Sequence, residues 1–257
     1  MPFGRKKRRK GVFFVTMDEM ERYSVIPHKN PREIVLLRGR GCRWRRCRFC
    51  DYHLDFSLDG QANLALNRRQ LARVSGLYRR LEVINSGSFV DLDPETMAEI
   101  EAVCRQKQIA ALHFECHWVH RQEIAPLKAR FAAQGVEVKI KIGVETFDAL
   151  FRESYLDKGV DADPAQIAAY CDEVCLLQGL PGQTAQSMKR DIETGLAHFE
   201  RVCVNIMQKN TKPIQPDPAV IQVFRRQVAP FYWENPRVDI LLNNTDFGVG
   251  GFSNDAQ

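Results

Sequence analysis

Seven short apolar runs punctuate the chain, at Glu33–Leu37, Glu82–Asn85, Ala110–Glu115, Val136–Ile142, Glu173–Leu177, Val202–Met207 and Val238–Leu242, with helix-like segments between them. Strands separated by helices need crossover connections, and these are right-handed and build a parallel sheet. Three of the intervening helices are expected to begin alike, at Asp93-Pro94, Asp163-Pro164 and Asp217-Pro218. In each, Asp caps the free N–H groups and Pro fits the first turn. After Asp93-Pro94, Met97, Ile100, Val103 and Cys104 recur at helical spacing and give a stripe that packs on the sheet, which makes Cys104 a core thiol.

Each run is followed by a turn rich in glycine or polar residues. Among them are Gly39-Arg40-Gly41-Cys42, Ser86-Gly87-Ser88-Phe89, Cys116-His117-Trp118, Gly143-Val144-Glu145-Thr146, Gln178-Gly179-Leu180-Pro181-Gly182, Gln208-Lys209-Asn210-Thr211 and Asn243-Asn244-Thr245-Asp246. These turns lie at the carboxyl ends of successive parallel strands, the face on which α/β barrels and open sheets build their sites.

The first turn holds the densest chemistry. Cys42, Cys47 and Cys50 fall within nine residues, in Cys42-Arg-Trp-Arg-Arg-Cys47-Arg-Phe49-Cys50. Three thiolates on one loop bind a metal centre and leave one coordination position for another ligand. Zinc would take His53 as its fourth ligand, in a compact tetrahedral knot. An iron–sulfur cluster would keep three thiolates and give its last iron to a non-protein group. Placement favours the cluster, because structural zinc staples small modules that lack a core, and this loop sits at the mouth of a large domain.

With these turns in view, the chain resembles the radical S-adenosylmethionine (SAM) superfamily from about Glu33 to Met207. The resemblance implies a single α/β domain folded as a partial (βα)6 TIM-like barrel. It implies a [4Fe–4S] cluster on Cys42, Cys47 and Cys50, with SAM on the fourth iron. Phe49 resembles the aromatic residue that packs on the adenine. Ser86, Gly87 and Ser88 resemble the turn that touches the methionine amino group. Glu145 and Arg152 resemble the segment that reaches the ribose and carboxylate, and Gln178 and Leu180 the turn beside the adenine. Four residues separate Cys42 from Cys47 where the superfamily usually has three. Chain length and this longer loop resemble the queuine lyase group, which converts queuine to preQ1. A cationic amine and a diol on such a substrate would suit Asp51, Asp91 and Glu115, with His53 and His117 as further polar contacts.

The net charge of +5 comes from Arg5 to Lys10, which carry six positive charges, so the remainder sums to 5 − 6 = −1. Residues 1–10 are expected to be a basic disordered tail and residues 11–257 one domain. The tail offers a nucleic acid contact for an RNA-modifying radical enzyme, but a solvated tail is the favoured reading. Arg40, Arg43, Arg45, Arg46 and Arg48 beside the cysteines suit an acidic, low-potential electron donor of flavodoxin or ferredoxin type. Eight cysteines without a disulfide pattern, no leader and no apolar stretch near the roughly 20 residues of a membrane span point to a cytoplasmic protein. A zinc-binding interaction protein is the alternative from outside enzymes.

Overall fold

A computed structural model of the chain describes residues 21–242. The expected basic tail and the Asn243–Asp246 turn lie outside these described residues. Eight strands form one sheet in sequential order. They are β1 (Tyr23–Ile26), β2 (Arg32–Leu37), β3 (Arg80–Asn85), β4 (Ala111–Glu115), β5 (Glu137–Glu145), β6 (Glu173–Gln178), β7 (Arg201–Ile206) and β8 (Val238–Leu241). Strands β2 to β8 run parallel, joined by crossovers containing α1 (Gly60–Leu71), α2 (Pro94–Gln106), α3 (Ile124–Ala132), α4 (Pro164–Ala168), α5 (Ala185–His198), α6 (Pro218–Gln227) and α7 (Ala229–Tyr232). This is the partial barrel expected from the sequence, with one addition: β1 pairs antiparallel with β2 as an edge hairpin. Among the described residues no helix is long and apolar enough to cross a membrane.

The period-2 alternation of the strands sorts side chains into two layers. Val35, Leu37, Val83, Phe114, Ile140, Val174 and Val204 point outward into one continuous core with the helices, joined by Met97, Ile100 and Cys104 of α2 as expected. All six positions of β2 and of β6 are buried, as strands covered on both faces must be. Asp163 accepts from Gln166 N, and Asp217 from Ala219 N and Val220 N, with Pro following each as the sequence indicated. Asp93 holds the N-cap position without capping. Its carboxylate instead binds Arg40 Nε at 2.7 Å and Asn63 Nδ2 at 2.9 Å, so it ties α1 and the turn after β2 to the start of α2.

The inward layer carries charge. Arg32 and Lys141 both hold Glu82 in short contacts, and Arg201 stands 3.7 Å from it. Arg201 also grips Glu173 at 2.5 Å and Asp239 at 2.8 Å, and Arg32 reaches Asp239 at 3.4 Å. His113 Nδ1 lies 3.1 Å from Glu173 Oε1. These residues come from β2 to β8, so pairs such as Arg32 with Asp239 join strands six places apart in the sheet order, which requires the sheet to curl round until its ends meet. Lys29 and Asn30 of the β1–β2 turn complete the seam, donating to the Trp233, Val238 and Pro236 carbonyls and to Asp239.

Burial alone would push the Glu173 carboxyl up, but His113 and Arg201 against it hold it down at about 2, from an ordinary 4.5. A carboxyl lowered by folding contributes stability that is present above its unfolded value and lost as pH falls toward the folded one. Glu173→Gln is therefore expected to remove up to about 3 kcal/mol of the pH-dependent change in unfolding free energy between about pH 4.5 and 2. Urea unfolding of both proteins across that window measures it.

Candidate active site

Above the charged floor the barrel opens into a cavity of about 520 Å³. Arg32, Glu82 and Lys141 line its bottom, Ile34, Leu36, Ile84, Leu177 and Leu241 its middle, and Cys42, Cys47 and Cys50 its mouth. The three thiols thus share one space. Burial pushes Cys47 up to about 11 and Cys50 up to about 12, so thiolates there need a cationic centre beside them, which a metal cluster supplies. Among the described residues no group of three His, Cys, Asp or Glu is arranged around a single ion. His53 joins no such group with the cysteines, and its Nδ1 sits 3.1 Å from the Cys50 carbonyl oxygen. Cys42, Cys47 and Cys50 therefore fit a multi-iron cluster better than one tetrahedral zinc.

The cysteine loop is held by contacts far away in sequence. Trp44 Nε1 donates to the Asp157 carbonyl at 2.7 Å, and its ring stacks on His117 with centroids 5.5 Å apart. A Cβ on Gly159, whose φ is +69°, would lie 2.3 Å from the Trp44 ring, so only glycine lets the indole seat there. Arg48 N donates to Leu156 O, and Arg48 O accepts from Ile214 N. On the third side, a Cβ on Gly87 would fall 3.0 Å from Cys42 Cα, so the turn after β3 passes directly against the loop.

Two buried acceptors in that turn, Asn85 Oδ1 and Ser86 Oγ, have no hydrogen-bond partner, and both residues line the cavity. A buried polar atom without a partner costs stability, so the pair is suited to a ligand donor such as an ammonium group. Opposite them, β5 ends in a bulge with Glu145 at φ +70°, an uncommon conformation for a residue with a side chain. Glu145 Oε1 and Lys158 Nζ pair at 2.7 Å in the space left by Gly143, whose missing Cβ would lie 2.8 Å from one and 3.0 Å from the other. Burial alone would lower the Lys158 ammonium, but Glu145 and the nearby cysteines hold it well above its ordinary value. It stands 5.8 Å from the centroid of Phe49.

Of the residues singled out in the sequence, Phe49, Asp51, His53, Ser86, Gly87, Glu115, His117 and Glu145 line the cavity with the three cysteines. Ser88, Asp91, Arg152, Gln178 and Leu180 are not among the residues that line it. Ser88 and Asp91 close a capping box. Arg152 is buried and spends its guanidinium on Glu153, Thr146 O and Ala162 O, bracing the segment that presents Lys158. Leu180 packs in the apolar cluster behind Phe49. Gln178 is buried with both amide atoms unpartnered. Asp51, although it lines the cavity, has both oxygens engaged by Thr211 N and Oγ1 at 2.6 and 2.8 Å.

His117 is braced between Lys158 O at 2.9 Å and Val119 N at 3.3 Å, and burial lowers it to about 4, so it stays neutral near pH 7. Burial raises Glu115, against the pull of Lys141 at 3.1 Å. Sequence reasoning missed Lys158 as the partner of Glu145. It also missed Gln183, whose side chain closes the β6 turn by accepting from Gly179 N and Leu180 N and donating to Leu177 O.

Among solved structures, the chain is similar to the queuine lyase from Clostridium spiroforme bound to SAM and queuine. The two share 38% identity with a TM-score of 0.84, over 90% of this chain and 100% of that one. It also resembles SuiB of Streptococcus suis bound to its precursor peptide SuiA, at 12% identity and a TM-score of 0.52, over 80% of this chain and 48% of that one. The latter likeness is one of fold alone. No protein-family model matches the chain, and no curated protein does.

Gly159→Ala is expected to dislodge Trp44, costing about 1–3 kcal/mol of stability through backbone strain and overpacking. Thermal unfolding followed by tryptophan emission checks this, since unchanged emission and melting would mean that the indole does not depend on that glycine.

Proposed function

Because the chain belongs to the queuine lyase group of the radical SAM superfamily, we propose that it cleaves SAM at a [4Fe–4S] cluster on Cys42, Cys47 and Cys50 and converts queuine to preQ1. The observation that carries this reading is the meeting of three thiols, two unpartnered acceptors and the Glu145–Lys158 pair around one cavity. When bound and reduced, the cluster would supply the electron that splits SAM into methionine and a 5′-deoxyadenosyl radical able to abstract hydrogen from the substrate.

The chain's own residues bind and orient. Asn85 Oδ1 and Ser86 Oγ would accept from the methionine ammonium, and Lys158 would face its carboxylate while Glu145 takes a ribose hydroxyl. Phe49 offers an apolar wall to the adenine. The belt of Ile34, Leu36, Ile84, Leu177 and Leu241 excludes water between mouth and floor, which protects a radical from stray hydrogen donors. Glu115, the carboxylate of the floor most exposed to the cavity, would take the cationic amine of queuine.

Neutral His117 would accept no substrate proton while its ring nitrogens hold Lys158 and Val119 in place. The exposed arginines of the cysteine loop would receive an acidic one-electron carrier. A reducing, cytoplasmic setting suits such thiols.

Anaerobic reconstitution is expected to load about four iron and four sulfide per chain, with Cys47→Ala or Cys50→Ala losing most of both. The reduced wild type should form 5′-deoxyadenosine from SAM and, with queuine, preQ1. 5′-Deoxyadenosine without any preQ1 would overturn the lyase assignment, and one bound zinc without iron would overturn the cluster.

A further inference from the structure

Cys175 and Cys203 have no part in the function proposed above. They are directly opposed partners across β6 and β7. Cys104 and Cys171 pack in the core between sheet and helices. Cys175 and Cys203 belong to the inward layer and line the cavity between its mouth and its charged floor. Lys141 is close enough to stabilise negative charge on either sulfur, and Cys203 Sγ lies 3.8 Å from Asn205 Oδ1. Cys116 also lines this space, but its thiol donates to His117 O at 3.4 Å. Cys175 and Cys203 stand opposed on neighbouring strands, in the space where a carbon radical would form, with S–H bonds weaker than the C–H and O–H bonds around them.

Resting on the radical SAM reading, we propose that the Cys175–Cys203 thiol pair is the hydrogen-atom donor that quenches the carbon radical left on the substrate. The S–H bond of Cys175 breaks homolytically, a C–H bond forms on the substrate, and the unpaired electron remains on sulfur. Cys203 then releases its proton, with Lys141 balancing the charge, and the two sulfurs share the unpaired electron in a three-electron bond. One electron from the low-potential carrier that reduces the enzyme, with two protons, restores both thiols. A thiol hydrogen exchanges with solvent, whereas the methyl hydrogens of 5′-deoxyadenosine do not. The origin of the hydrogen is therefore readable in the product.

The deciding experiment is turnover of queuine by the reconstituted wild type in D2O, with mass spectrometry of the released carbocyclic fragment. We expect deuterium at carbon and one 5′-deoxyadenosine per turnover. In Cys175→Ser and Cys203→Ala, the ratio of deuterated product to 5′-deoxyadenosine should fall by roughly tenfold or more. An unlabelled fragment from the wild type, or undiminished labelling in both variants, would overturn the donor role and leave the lyase function standing. Failure of the wild type to form 5′-deoxyadenosine would overturn both. Independently of turnover, phenylarsine oxide added to the cluster-free protein should bridge the peptides carrying Cys175 and Cys203 and fail to do so in Cys203→Ala. Absence of that bridged species would refute the pairing itself.

Discussion

Everything above the floor of this barrel depends on the ion network that fills its lower bore. Glu82 sits among Arg32, Lys141 and Arg201, and Arg201 passes the connection on to Glu173 and Asp239. A buried network of this kind contributes less stability than apolar packing of the same volume often would, while loss of one member is costly because it strands the others. Its value is geometric. The sheet leaves β1 and β8 as edges, and the charges clamp β2 to β8 across the seam where no backbone ladder does so. Aliphatic side chains could fill the bore, but they would not fix which strands face each other.

The same network shapes the cavity it supports. Below the mouth, which carries the thiols and the Glu145–Lys158 pair, charge is confined to the floor, and Ile34, Leu36, Ile84, Leu177 and Leu241 make the middle of the bore largely apolar. A ligand entering this space meets a reactive rim, a dry belt and a polar base in turn. Such a gradient separates the polar from the apolar parts of a substrate and so holds it in a single orientation through contacts made at the base.

Much of the frame was legible because it rests on strong local physics. The apolar runs, the Asp-Pro helix starts and the clustered cysteines each express a rule that tertiary context seldom overrides. Strand β1 was not legible. Tyr23 to Ile26 is only four residues long, and its turn uses Lys29 and Asn30, both at φ +42°, in place of a glycine signal. The charged bore was present in the sequence as Arg32, Glu82, Glu173, Arg201 and Asp239, each within the first three positions of its strand. Sequence alone did not say that these charges converge. Direction was the other obstacle: a motif places Arg152 near the mouth, but whether its guanidinium turns to the cavity or to Glu153 depends on packing no linear pattern records. Cys175 and Cys203 are 28 residues apart, and only the register of β6 on β7 makes them neighbours.

The cysteine loop has three anchorages. It is fastened to the segment after β5 through Trp44 and Arg48, to the segment after β7 through Arg48 and Asp51, and it lies against Gly87 after β3. Each anchor belongs to a part of the barrel that must already be folded. Closure of the loop therefore needs all three in place, and it finishes the rim as a ring of chain segments remote from one another in sequence. The thiols still face the cavity, so whatever they bind can reach them through its mouth without that ring being undone.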